Sequence, residues 1–334
     1  MDFVIPWVDG NDVEWQAEKN KFSANGQGDF CPARFRDWEI LKYWFRGVEK
    51  FAPWVNRIHF ITCGHTPKWL NLKHPKLHFV KHQDYIPSKY LPTFNSHTIE
   101  HNIHRIEGLS EQFVYFNDDM HIIAPMKETD FFVKGKPCDE ANMVYKIPSF
   151  FSLVQSVDFN DVWAVNRHFN KFKEIRKHPF TFLNKRYGLY NNLYALYTMP
   201  SPAFPGFFNH HTAQSFLKST FESVWKVEEQ ILEKTCTEKF RDYSHLNQYV
   251  YRYWQFAQGI IQPVSFKGKR KRIEICDESI QDIKKVLADG QTQILCLNDE
   301  PKIPEASFEP LKAQLIEAFE KLFPQKSAFE LELG

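Results

Sequence analysis

Apolar residues in the first 120 positions follow two periods. The short runs "DFVIPWV" (2–8), "RIHFITC" (57–63), "KLHFVKH" (76–82) and "FVYFNDD" (113–119) have the length and the β-branched or aromatic content of strands. Between the first two, Ile40, Leu41, Trp44, Phe45, Val48 and Phe51 recur at three and four residues, one buried face of a helix that stops before Pro53. Between the last two, Ile99, Ile103 and Ile106 recur likewise, with Ser96 as N-cap and Gly108 as the stop. Strands alternating with helices predict an α/β fold, a Rossmann-like, mostly parallel sheet whose ligands gather beyond the carboxyl ends of the strands.

Near residue 130 the texture changes. Residues 131–208 are rich in Phe, Asn, Lys and Pro with weak periodicity, and two amphipathic helices follow. The first is expected to carry Phe216, Leu217, Phe221, Val224, Trp225 and Ile231. The second carries Leu246, Tyr249, Val250, Tyr253, Trp254 and Ala257, with Gly259 as its stop. "QILCLNDE" (293–300) returns to the strand pattern, and Phe308, Leu311, Leu315, Phe319 and Leu322 predict a closing helix after Pro310. The expected organisation is a catalytic core of residues 1–130 and 265–334, interrupted by a mainly helical insertion or lid, 131–264, that contributes site residues.

Three apolar segments end in Asn and Asp clusters, "WVDGND", "YFNDD" and "CLNDE". A single cluster reads as a turn, because Asn and Asp bond their own backbone. Three at strand ends of one sheet point to a common edge, where Asp9, Asp118 and Asp119 repel one another unless a cation or a shared proton relieves them. His97, Glu100, His101 and His104 share a helical face that offers Zn²⁺ ligands or, more simply, a polar surface, and Arg105 beside them offers a fork for a phosphate. His210 or His211 could take a proton from an attacking hydroxyl and Arg241 could neutralise phosphoryl charge, or the histidines could simply cap a helix.

Composition narrows this only a little. The 334 residues are 43% hydrophobic, enough for a large core, and 42 basic against 41 acidic residues give a net charge of +1, so nothing attracts nucleic acid globally. The one basic run, "KGKRKR" (267–272), reads as a solvated loop before a binding patch, though it could contact an anionic acceptor or a lipid surface. Six cysteines at 31, 63, 138, 236, 276 and 296 form no CxxC pair and read as reduced thiols. No leader-like start and no run of 18 uncharged apolar residues is present, which leads us to expect a cytoplasmic protein with at most peripheral contact at the inner face of the membrane.

"IPWVDGND" (5–12), "RFRDWEILKYWFRGVEKFAPWVNRIHFITCGHTPKWLN" (34–71), "LPTFNSHTIEHNIHRIEGLSEQFVYFNDDM" (91–120) and "LCLNDE" (295–300) together resemble the four-block signature of the Stealth family. "NHHTAQSFLKSTFESVW" (209–225) through "EKFRDYSHLNQYVYRYW" (238–254) matches its third block more loosely. The family comprises bacterial capsular and cell-wall polysaccharide hexose-1-phosphotransferases and the catalytic subunit of lysosomal-enzyme GlcNAc-1-phosphotransferase. The resemblance implies a GT-A-like version of the sheet and transfer of a sugar-1-phosphate to a glycan hydroxyl. The donor would be a UDP-hexose or UDP-N-acetylhexosamine, the acceptor a glycan that can be lipid-linked, and UMP the leaving product. It places active-site positions on Asp37, Asn117, Asp118, Asp119, His211, Arg241, Asn298 and Asp299, to which we add Asp9, Arg36 and Arg105 as donor contacts. Asp118 and Asp119 would hold Mg²⁺ or Mn²⁺, with His211 as base and Asp119 its rival. An arginine expected between Gly188 and the paired histidines is absent, leaving Lys185 or Arg186 to substitute. A glycosyltransferase releasing UDP and a non-catalytic glycan-binding protein remain the alternatives.

Overall fold

Strands β1 (Asp2–Pro6), β2 (Ile58–Thr62), β3 (Leu77–Lys81) and β4 (Gln112–Tyr115) lie side by side in the order β3-β2-β1-β4, all parallel. This is the arrangement in the computed structural model of the chain, which describes residues 1–23, 36–299 and 303–332. Cys31, Arg34, Phe35 and Glu300 fall outside the described residues. Alternate side chains of β1 serve two cores, as a period of two requires. Phe3 and Ile5 pack with Trp44, Phe45 and Val48 of the Leu41–Phe51 helix, while Val4 faces a larger cluster with Phe113, Tyr115 and Tyr251. The short Ser96–His101 helix is capped one residue earlier than expected. Asn95 is the N-cap, its side chain accepting from the His97 N–H, and the Ser96 hydroxyl is left for other work.

After β5 (Met120–Ile122) and a hairpin of β6 (Phe132–Val133) and β7 (Lys136–Asp139), the chain turns helical over Leu153–His168, Lys171–Lys177, Pro179–Phe182 and Gly188–Tyr197. It then re-enters the central sheet as β8 (Gln214–Leu217), antiparallel to β4. Phe216 and Leu217 are therefore strand residues, and the helix expected to contain them begins at Lys218 and runs to Thr237. The open edge of β4 needs a ladder partner, and Phe216 sits opposite Phe113 with ring centroids 5.8 Å apart. One apolar cluster joins Val4 and Phe113 of the sheet to Val162, Phe216 and Tyr251, so residues 131–264 share their core with the sheet. The Tyr249–Ala257 helix follows, then β9 (Gln262–Pro263) beside β7.

β10 (Arg270–Ile275) and β11 (Ile294–Asp299) run parallel to each other, and β11 pairs antiparallel with β5. The basic run is thus an exposed turn over 267–269, as a solvated loop would be, followed by the start of β10. The Arg270 guanidinium lies 3.6 Å from the Phe266 ring centroid and donates to the Ala213 carbonyl at 2.6 Å. The last helix spans Glu305–Leu322 with Pro310 inside it, because Phe308 packs on Trp38 and Leu311, Leu315 and Phe319 are buried, which holds the turn before the proline in place. Among the described residues no helix is long and apolar enough to cross a membrane.

Candidate active site

Parallel strands present the same end to one edge, so the residues following β1 and β4 meet there. β11 joins them because Leu297 N–H donates to the Asp119 carbonyl at 2.8 Å, drawing Asn298 and Asp299 alongside Asn117, Asp118 and Asp119. These residues, with Arg36 and Asp37, line one cavity of about 630 Å³. The helical portion closes over it with His211 and Arg241. Nine of the eleven site residues expected from the sequence thus share a single cleft.

Asp119 divides its two oxygens between different tasks. Oδ2 stands 3.4 Å from His211 Nε2 and accepts from the Cys296 thiol at 3.3 Å. Oδ1 is buried with no partner among the described residues. His211 itself has φ of +47°, a left-handed conformation that a β-carbon disfavours, and its Nδ1 lies 3.5 Å from the Tyr249 hydroxyl. Strain of this kind accumulates where a side chain must be aimed. The preceding His210 turns away to Glu140, 2.8 Å from its Oε2, and does not line the cleft.

Negative charge is crowded along the strand ends. The tip of Asp118 faces the cleft, yet loss of surrounding water and the adjacent Asp119 push its carboxyl up to about 7. Burial also raises Asp37, helped by Glu39 and Asp9 and opposed by a backbone N–H from Glu39. Arg36 stands 3.5 Å from Asp299. Arg241 donates twice to the Ser96 hydroxyl, at 3.0 and 2.6 Å, which aims its guanidinium along the boundary of the cleft.

A second cavity of about 200 Å³ meets the first at Trp7, Val8, Asn117, Asp118 and Arg241. Trp15, Phe94 and Phe240 supply aromatic walls, with Phe94 and Phe240 stacked at 5.6 Å. Its floor holds His82, kept neutral by burial, which lowers it to about 3, and Glu100. A flat ring stacks well in such a slot, and anything charged attached to it would emerge beside Asp118 and Arg241.

Two expected contacts lie elsewhere. Arg105 is exposed and stacks on Trp225 at 4.8 Å, because the turn after the Ser96–His101 helix points it away from the sheet edge. Asp9 closes a turn, accepting from Asn11 N–H at 2.9 Å, and lines neither cavity. Arg186 donates to the Pro263 carbonyl, so neither it nor Lys185 replaces the absent arginine in the cleft. The histidine face is core. His101 spends both ring nitrogens on Tyr251 and the Leu246 carbonyl, and burial lowers His101 and His104 to about 3.

The cleft also holds groups that sequence reasoning missed. Lys146 pairs with Asp158 at 2.6 Å, and Tyr249, Arg272 and Asn209 line the wall. Only Arg272 left a signal. In a strand, "KRKR" alternates faces, which sets Arg270 and Arg272 on one side of β10; Arg272 reaches the cleft while Arg270 is held on Phe266 and the Ala213 carbonyl.

Among the described residues, the donor atoms that could jointly hold a metal are those of Asp119, His211 and Cys296, all within 4.8 Å of one another. The unpartnered Asp119 Oδ1 and the raised Asp118 carboxyl both show a place short of positive charge. A divalent cation taking carboxylate oxygens fits that pair.

Two family models match, Stealth protein CR1, conserved region 1, over residues 1–27, and Stealth protein CR2, conserved region 2, over residues 34–139. The chain is 40% identical to the capsular polysaccharide phosphotransferase WcwK of Streptococcus pneumoniae, over 99% of this chain and 98% of that one. It is 38% identical to the receptor polysaccharide phosphotransferase WefC of Streptococcus oralis, over 99% of each. It is 37% identical to the exopolysaccharide phosphotransferase cps2G of Lactiplantibacillus plantarum, over 99% of this chain and 96% of that one. Among solved structures, the galactosyltransferase LgtC with donor and acceptor sugar analogues covers 95% of each chain at a TM-score of 0.43 and 10% identity, which leaves the strand order as the ground for the fold class. Matched in both amino-terminal conserved regions and similar along almost its whole length to these polysaccharide phosphotransferases, the chain belongs to the Stealth family.

Proposed function

We propose that this enzyme moves a hexose- or N-acetylhexosamine-1-phosphate from a UDP-sugar to a hydroxyl of a glycan acceptor in capsular or exopolysaccharide synthesis, forming a phosphodiester and releasing UMP. The observation that carries the reading is the meeting of the two cavities. An aromatic slot opens into a charged cleft at Asn117, Asp118 and Arg241, as a nucleoside joined through a pyrophosphate to a sugar requires.

In this reading Phe94, Phe240 and Trp15 stack the base, while Arg241, fixed by Ser96, neutralises the pyrophosphate. Arg36, Arg272 and Lys146 offset charge on the transferring phosphoryl group. Asp118 and the free oxygen of Asp119 would hold Mg²⁺ or Mn²⁺, which when bound neutralises diphosphate oxygens and steadies the leaving group. With Nε2 of His211 turned to Asp119, Nδ1, which has the Tyr249 hydroxyl as its neighbour at 3.5 Å, takes the acceptor proton. The acceptor oxygen then bonds to the β-phosphorus, and the bond from that phosphorus to the bridging oxygen breaks, leaving on UMP.

Incubating the protein with UDP-sugars, Mg²⁺ and a glycan acceptor, then separating the nucleotides, tests this. UMP is the expected product. UDP would put the broken bond at the anomeric carbon and overturn the reading. Release of neither, with glycan binding that survives Asp119→Ala, would make the chain a binding protein.

A further inference from the structure

Between β7 and β8 the protein carries apolar surface that the described residues leave exposed. Ser149 and Ser152 bridge to close a tight turn, and at its tip Phe150 and Phe151 are 94% and 99% exposed. Ile147 and Tyr145, just before the turn, are also exposed. Nothing in the fold requires two phenylalanines there, where any polar pair would turn as well.

The Gly188–Tyr197 helix is inside out. Its asparagines face the protein, with Asn192 accepting from Asn184 N–H at 2.9 Å and donating to the Asn184 carbonyl at 2.7 Å. Leu189, Tyr190, Leu193, Leu196 and Tyr197 point to solvent, the reverse of a helix that packs its apolar face inward. Tyr145 and Tyr194 touch edge to face at 6.1 Å, joining the turn and the helix into one apron.

Charge favours one kind of partner for this apron. Residues 141–157 and 175–209 contain no Asp or Glu, while Arg176, Lys177, Lys185 and Arg186 are present and exposed, the last two immediately before the inside-out helix. The apron is also continuous with the cleft, because Lys146, next to Tyr145, and Val154, 53% exposed, line the cavity wall.

We propose that this apron docks the protein on an anionic lipid bilayer. Phe150 and Phe151 enter the boundary between headgroups and acyl chains, the Gly188–Tyr197 helix lies along that boundary, and the neighbouring cations meet the headgroups. Aromatic rings settle at this depth, and leucines offer nothing to sugar hydroxyls, which sets a lipid surface above a glycan as the occupant. The cleft then opens beside the membrane surface, within reach of an acceptor held there.

Co-sedimentation of the full chain with vesicles of phosphatidylcholine plus phosphatidylglycerol, against phosphatidylcholine alone and over a range of salt, tests the proposal. The protein is expected to pellet with the anionic vesicles and less so as salt rises. A Phe150→Ser and Phe151→Ser double variant should bind at least about tenfold more weakly. Lys185→Gln with Arg186→Gln should weaken binding and flatten its salt dependence. Both variants should keep the wild-type melting transition and nucleotide release with a short water-soluble acceptor. A wild-type protein that stays in the supernatant with both vesicles, or a phenylalanine variant that binds as well as wild type, would overturn the proposal. So would a dimer that shields the apron and leaves vesicles unbound. Because binding rather than turnover is read, the result stands whatever nucleotide the enzyme releases.

Discussion

Replacing Glu100 by glutamine removes a titrating proton while keeping the side chain's shape. Glu100 is 5% exposed at the wall of the aromatic cavity, where Oε1 accepts from the Tyr115 hydroxyl at 3.2 Å and Oε2 has no partner among the described residues. Burial outweighs the Arg241 cation and the tyrosine bond, and raises the carboxyl from 4.5 to about 7. A carboxyl raised on folding keeps its proton in the folded chain at pH values where the unfolded chain has lost it. Its contribution to stability is therefore fullest below 4.5, declines as pH rises to about 7, and is flat beyond. At roughly 1.4 kcal/mol per pH unit the whole decline is about 3 kcal/mol. The amide introduced by Glu100→Gln cannot titrate, and whatever it costs in that wall is the same at every pH. Urea unfolding of both proteins near pH 4 and near pH 8 should show the difference between them moving by about 3 kcal/mol in favour of Glu100→Gln at the higher pH. Other carboxylates titrate in both proteins and cancel. Parallel pH curves would refute the reasoning, because Glu100 would then titrate as it does in water.

Three further outcomes follow from the geometry. His211→Gly relieves a left-handed conformation worth about 1–2 kcal/mol and adds about 0.5–1 kcal/mol of chain entropy to the unfolded state, so stability should stay within about 1 kcal/mol of wild type. Nucleotide release should fall by roughly 10²–10⁴, and a lost melting transition would instead make the residue structural. Phe240→Ala should raise KM for the nucleotide sugar about tenfold with kcat little changed in steady-state assays. An unchanged KM would empty the aromatic slot of its assigned role. Arg252→Ala breaks a buried two-pronged pair with Asp139, 2.7 Å on each prong, and frees the Phe208 carbonyl near the loop that carries His211. A cost of about 3–5 kcal/mol in denaturant midpoints is expected, and a cost under about 1 kcal/mol would count against that pair as an anchor.

The sequence by itself determined the strands β1 to β4, the helix of Leu41–Phe51 and the acidic tips, because side-chain period and Asn–Asp turn chemistry are local. Once four strands are parallel, their carboxyl ends must share an edge, so the place of Asp118 and Asp119 was also legible, whereas Asp9 from the same reasoning lines neither cavity and Asp37 entered only through the family resemblance. Only the tertiary structure decided the rest. Phe216 and Leu217 are compatible with either period, and the unpaired edge of β4 made them strand. Arg105 and Arg241 look alike along the chain, yet one stacks on Trp225 and the other is held by Ser96 at the cleft. Cys296 and Lys146 carry no local mark of their place, and the inside-out helix lies in the stretch where periodicity is weak. Periodicity within a window says which face of a segment avoids water. What stands opposite that face depends on how sheets and helices far apart in the chain cross, and that is set by the summed burial of all of them at once.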